Sequence, residues 1–276
     1  MKNITLMLLI CSSIGWASQT NIQYPQVTSQ VSYQSVTQLP FRKPDARISY
    51  GSDQLQFGLL WYGRSNEPKP LVVLIHGGCW LNAFGVDHSQ AMATALSQAG
   101  YPVWSLEYRR TGDPGGGWPG SLNDIILALN QLSVLHGHDI QTDQVVLLGH
   151  SAGGHLALLA ANEMPAINWH KIIGLAAITD VSRYALGSNS CQQATAKFMA
   201  GLPHEQAEAY QQANLLYRKL SNQVVLLHGD ADQIVPELQS KLFATANEVL
   251  AGAGHFDWIH PGSPAFELLL NRLADE

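Results

Sequence analysis

The chain has 276 residues, 46% hydrophobic and only 13% charged, with 24 glycines and a formal net charge of −6. That length allows one or two domains, and its apolar content excludes a disordered protein even though charge falls well below the ~25% usual in soluble domains. Mild acidity leaves no basic stripe for phosphates, so nucleic acid is not an expected partner; no run of ~20 apolar residues follows the first twenty positions, so no membrane span is expected there.

Lys2 followed by the apolar run Ile4 to Ile14, then Gly15-Trp16-Ala17 before Ser18, has the layout of a signal peptide over residues 1–17. The expectation is export, to the periplasm or beyond. Ile10 stands where a lipobox before Cys11 wants a small residue. Cleavage near Ala17 removes Cys11 and leaves Cys79 and Cys191 in an oxidising compartment. A Cys79–Cys191 disulfide and two separate buried thiols are both open, since bridging needs Cα atoms within ~7 Å.

Residues 18–45, rich in Gln, Ser and Thr, read as an extended tail or linker. From Ala46 a single domain is expected to run to Glu276. Residues 46–50 and 54–62 predict a hairpin around Gly51-Ser52-Asp53. Leu71-Val72-Val73-Leu74-Ile75 is the continuous apolar run of a strand buried on both faces, and similar runs recur at 102–106, 145–148, 172–178, 224–227 and 247–251. Helical patterns lie between them. Residues 87–99 open with Asp87 and Gln90 as a capping box, and 121–136 open likewise with Ser121 and Asp124. Residues 152–162, 236–246 and 263–273 also predict helices. This alternation implies an α/β fold, a mostly parallel central sheet with helices on both faces and ligand sites at the carboxyl ends of its strands. The polar, helix-prone stretch 183–220 is expected to form a small lid over that end.

The strand Val145–Leu148 runs into Gly149-His150-Ser151-Ala152-Gly153 and a helix. Strand, G-x-S-x-G turn and helix together present a serine on a sharp, strained turn. Such a serine needs a base, and the base an orienting acid. The strand 224–227 ends in His228-Gly229-Asp230-Ala231-Asp232-Gln233-Ile234-Val235-Pro236, so either Asp230 or Asp232 could orient a histidine. His255, in Gly252-Ala253-Gly254-His255-Phe256, follows the next strand.

In these motifs the chain resembles the α/β-hydrolases over about residues 46–273. The resemblance implies an α/β-hydrolase fold with a small helical lid. It maps the acid of H-G-x-x-D-x-x-V-P onto Asp232 and the base of G-x-G-H-F onto His255, completing a triad with Ser151. His76-Gly77-Gly78-Cys79-Trp80 is similar to the H-G-G-x motif of esterases, which implies an oxyanion hole from the backbone N–H groups of Gly78, Cys79 and Ala152, with His76 bracing the loop. Glu107-Tyr108-Arg109, Gly117-Trp118-Pro119-Gly120 and GHSAGGHLA at 149–157 look like the small esterase and arylformamidase-like branch. Trp80, Trp118 and Trp258 are candidates for the pocket lining, with ordinary packing as the alternative.

His136-Gly137-His138-Asp139 lacks a third well-spaced ligand, so no metal is expected. His150 and His155 read as packing residues. Gly115-Gly116-Gly117 lacks the Gly-Lys-Ser/Thr ending of a phosphate cradle. The expectation is an exported serine carboxylesterase for small to medium acyl esters, without a cofactor. The alternatives are an amide or formamide hydrolase, a polysaccharide deacetylase or feruloyl esterase, and an inactive binding scaffold. Oligomeric state is not legible.

Overall fold

A computed structural model describes residues 21–65, 67–243 and 246–275; the expected signal peptide lies outside them. Eight strands, β1 (Ala46–Ser49), β2 (Phe57–Trp61), β3 (Leu71–Ile75), β4 (Val103–Leu106), β5 (Val145–His150), β6 (Trp169–Leu175), β7 (Val224–Gly229) and β8 (Ala246–Leu250), form one sheet in the order β1-β2-β4-β3-β5-β6-β7-β8. β1 and β2 form the expected antiparallel hairpin, β2 pairs antiparallel with β4, and every later pairing is parallel.

Alternate residues of the central strands supply two cores. Leu71, Val73 and Ile75 of β3 and Val145 and Leu147 of β5 point into one, while Val72, Leu74, Val146 and Leu148 point into the other. Each such side chain, taken wholly out of water, contributes roughly 1.5–3 kcal/mol before the entropy of ordering is charged. The continuous apolar runs thus follow from helices covering both faces.

Those helices are α1 (Tyr33–Thr37), α2 (Gln90–Gln98), α3 (Gly120–Asn130), α4 (Ala152–Glu163), α5 (Val181–Tyr184), α6 (Ser190–Phe198), α7 (Ala207–Ala213), α8 (Leu238–Lys241) and α9 (Pro264–Ala274). α4 is buried from Ala152 through Ala161, as its small and apolar residues allow. α9 starts as its sequence dictates, with Ser263 accepting the Phe266 N–H and Pro264 in the first turn.

Three local expectations are corrected. The 236–246 helix shrinks to the single turn of α8, because β8 already begins at Ala246. Neither predicted capping box forms. Asp87 accepts from the Gln90 side chain in a 3-10 turn instead. Asp124 is buried under Arg109, taking its Nε and Nη2 at 2.9 and 2.6 Å, while the Ser121 hydroxyl donates to the Arg109 carbonyl. A tertiary ion pair outbid the local cap.

Residues 21–45, read as a tail, are largely extended but laid along the body. Ile22 exchanges both backbone bonds with the Gln98 side chain, the Tyr24 hydroxyl donates to the Ala91 carbonyl, and the Gln30 and Val31 N–H groups donate to Asp257 at 2.8 and 2.6 Å. The stretch expected as a lid carries α6, α7 and a 3-10 turn at Leu215–Tyr217 between β6 and β7.

Candidate active site

The carboxyl ends of β3, β5, β7 and β8 send their following loops to one edge of the sheet. At the end of β5, Ser151 holds φ 56° and ψ −120°, a conformation that costs a non-glycine residue on the order of 1–3 kcal/mol. Its N–H donates to the Leu175 carbonyl at 2.8 Å, which pins the turn against β6. The flanking glycines are required by crowding: a Cβ on Gly149 would lie 2.3 Å from the Gly153 carbonyl oxygen, and one on Gly153 equally close to those of Ile75 and His76. The turn therefore presses the nucleophile candidate onto the β3 loop.

Of the two carboxylates after β7, Asp232 is the one that reaches His255: its Oδ2 accepts from His255 Nδ1 at 2.7 Å. Its Oδ1 takes the N–H groups of Ile234 and Val235, both at 2.8 Å. Burial by itself would raise this carboxyl, but His255 and the backbone donors outweigh it and hold Asp232 below the ordinary aspartate value. Asp230, in contrast, is exposed and closes a turn by accepting the Gly252 N–H at 2.6 Å. With Nδ1 facing a carboxylate, His255 presents Nε2 as the nitrogen free to take a proton. Neither that nitrogen nor the Ser151 hydroxyl makes a hydrogen bond among the described residues; such bonds often tighten only when substrate seats.

Two further histidines hold this pair in place. His150 Nε2 donates to the His255 carbonyl at 2.9 Å, and His228 Nε2 donates to the Val235 carbonyl at 2.9 Å. Burial drives both toward the neutral form, His150 well below the ordinary histidine value.

The loop after β3 is fixed differently. Gly78, Cys79 and Trp80 all adopt positive φ, at 110°, 54° and 56°. His76 spans the loop, with Nδ1 2.7 Å from the Gly77 carbonyl and Nε2 3.0 Å from Glu107. The same carboxylate lies 3.1 Å from Arg110 and accepts the Tyr108 and Val86 N–H groups. Burial alone would raise Glu107, yet His76, Arg110 and the Val86 N–H bring it down to about 2. Cys79 is disulfide-bonded to Cys191 on α6, which ties the loop to the inserted helices; separate thiols are the alternative that this geometry rejects. Ala152, first residue of α4, carries one of the N–H groups that no intrahelical carbonyl can reach.

Residues 61–246 match the BD-FAE family. The chain belongs to this family of α/β-hydrolase esterases. It is 25% identical over 267 residues to esterase LipC of Mycobacterium tuberculosis, covering 82% of this chain and 64% of that one. The chain spans less than two thirds of the length of each curated relative it matches. Among solved structures, esterase B from Lactobacillus Rhamnosis (HN001) superposes with a TM-score of 0.68 at 22% identity, covering 85% of this chain and 86% of that one. The Pyrobaculum calidifontis esterase gives 0.67 at 19% identity, with 88% and 87% covered. These likenesses establish the α/β-hydrolase fold.

The BD-FAE match contains Ser151 and Asp232 but stops before His255, whose place in the site rests on its bond to Asp232. The pocket expectation needs correction. Trp80 and Trp258 have no accessible surface; Trp80 stacks on Phe198 at 4.6 Å, and Trp258 belongs to the core on the opposite face of the sheet. Bulky rings near a loop end were simply buried. Trp118 alone of the three is half-buried, edge-on to Phe198 at 6.2 Å. Sequence reasoning missed His150 as a support of His255 and Asp257 as the anchor of the N-terminal segment. Their partners are 105 and up to 227 residues away along the chain, so no local pattern marks them.

Proposed function

We propose that this chain is an exported serine hydrolase of carboxylic esters with small to medium acyl groups. Ser151 Oγ attacks the ester carbonyl while His255 Nε2 takes its proton. Asp232 fixes the imidazole tautomer and stabilises the imidazolium. The N–H groups of Gly78, Cys79 and Ala152 receive the developing oxyanion, each worth about 3 kcal/mol of transition-state stabilisation. His255 then protonates the departing alcohol, and water repeats the sequence on the acyl-enzyme. The observation that carries this reading is the 2.7 Å Asp232–His255 contact beside a serine on a strained strand-to-helix turn. BD-FAE membership supports the ester bond as the target. Export rests on the layout of residues 1–17, and a disulfide between the two cysteines left after cleavage accords with it.

The test is kcat/KM on p-nitrophenyl esters from acetate to decanoate, with Ser151→Ala alongside. A preference for the short acyl groups, lost at least about a thousandfold in the variant, is the expected result. Ester turnover that survives Ser151→Ala in a clean preparation overturns the assignment. For export, the mature protein in its native host should begin near Ser18; a native N-terminus at Met1 contradicts it.

A further inference from the structure

The N-terminal segment, outside the BD-FAE match, places a ring at the edge of the candidate site. Tyr33, at the start of α1, lies 5.5 Å from Phe84 and 5.5 Å from Phe256, centroid to centroid. Each partner belongs to a different part of the site. Phe84 packs on the oxyanion loop so closely that a Cβ on Gly78 would meet its Cβ at 2.4 Å. Phe256 follows His255, and their rings are 5.1 Å apart and nearly perpendicular. Tyr33, Phe84 and Phe256 are all half-buried, so each keeps part of its surface in contact with solvent. The Tyr33 hydroxyl makes no hydrogen bond among the described residues.

The chain just before Tyr33 is firmly held. Asp257 accepts the Gln30 and Val31 N–H groups with one carboxylate, and Oδ2 of the same group also accepts the Gly254 N–H at 2.9 Å. Gly254 and Asp257 bracket His255 and Phe256. One side chain thereby locks the N-terminal segment to the loop that carries the base. This is a large commitment for a segment whose composition reads as a linker.

We propose that Tyr33, with Phe84 and Phe256, forms the wall that receives the leaving alcohol, and that it favours alcohols bearing a flat ring. The inference rests on the esterase reading above. In that reaction His255 returns its proton to the leaving oxygen, so the alcohol must sit on the His255 side of the scissile bond. The half-buried ring packed edge-on to His255 is Phe256, and Tyr33 continues it at 5.5 Å. A planar ring packed against these half-buried aromatic side chains gains a stacking or edge-on contact beyond its buried area, a preference that an ethyl group cannot exploit.

The experiment compares phenyl acetate with ethyl acetate, which share an acyl group and differ in the alcohol. Because their leaving groups also differ in intrinsic reactivity, the readout is the ratio of the two kcat/KM values in each variant relative to wild type. Tyr33→Leu keeps apolar volume and removes the ring, and Tyr33→Phe removes the hydroxyl alone. The expected result is a phenyl-to-ethyl ratio about five- to tenfold lower in Tyr33→Leu, carried by KM, and restored to at least half of wild type in Tyr33→Phe. An unchanged ratio overturns the proposal, whether both activities hold or both fall together; parallel loss would make Tyr33 a packing residue. A Tyr33→Leu protein that does not fold gives way to Phe84→Leu and Phe256→Leu, read by the same ratio. Failure of the esterase reading is distinguishable, since wild type would then turn over neither ester above Ser151→Ala.

Discussion

The two loops that flank Ser151 are immobilised by opposite means. The candidate oxyanion loop is clamped by charge and covalency: Glu107 beside Arg110 and His76, and the bond from Cys79 to α6. The loop carrying His255 is held without a cation: the Asp257 carboxylate accepts the Gly254 N–H, and His150, kept neutral by burial, donates to the His255 carbonyl. The difference follows what each must do. The first keeps its charge through the proposed cycle and only has to hold two N–H groups still, those of Gly78 and Cys79. The second must acquire a positive charge on His255, and neighbouring cations would oppose that step. His88, buried near His76 and His255, fits the same pattern, pushed down to about 3 by burial.

The largest effect that could break this contrast is at the acid. Asp232→Asn should lower kcat/KM about a thousandfold or more, since it removes the charge that orients and stabilises the imidazolium. Asp230→Asn should stay within about threefold. Comparable losses in the two would mean that Asp232 is not the orienting acid.

On the other side, opening the disulfide releases a closed stretch with a sequence separation of 112 residues and should cost about 4 kcal/mol in urea unfolding. The Cys79→Ser, Cys191→Ser double variant should show the loss without reductant; equal stability of oxidised and reduced wild type would contradict the tether. Next comes Glu107→Gln, which leaves the buried Arg110 with Asp113 as its remaining counter-charge and should cost about 2 kcal/mol by the same measurement.

Acid should reveal the same carboxylate. Its folded value lies below the unfolded one of 4.5, so its contribution is complete above about pH 4.5 and is lost as pH falls toward about 2. Thermal melts between those limits should therefore fall less steeply in Glu107→Gln than in wild type. An identical slope would show that Glu107 is not the group titrating. The smallest effect sharpens the neutral side. His150→Leu should lower kcat about tenfold with little change in KM, and His150→Gln, which can still donate to the His255 carbonyl, should recover most of it. Equal losses in both variants would reduce His150 to packing.

Much of this was written locally. The strands announced themselves because a strand buried on both faces carries mainly apolar residues, and the G-x-S-x-G turn is legible because its glycines answer to close backbone contacts, Gly149 within the turn and Gly153 against the end of β3 and the loop after it. Asp232 could not be separated from Asp230 by spacing; what separates them is that only one faces His255 while the other closes a surface turn. Asp124 has the spacing of a cap without its contacts, because its partner, Arg109, lies across a loop. For Trp80 and Trp258 it is the packing alternative that holds, again through distant partners. Aromatic type says that a ring will be covered, and the packing decides whether protein or ligand covers it.

The Asp257 anchor has a consequence in time. Gln30 finds its carboxylate partner 227 residues later in the chain. At about 5–20 residues per second, a ribosome needs roughly 10–45 s to make that stretch. Until then Gln30 and Val31 lack their acceptor, and neither His255 nor Phe256 exists. The N-terminal segment is thus made early and its anchoring is completed late, and the site cannot assemble before Asp257 has been made.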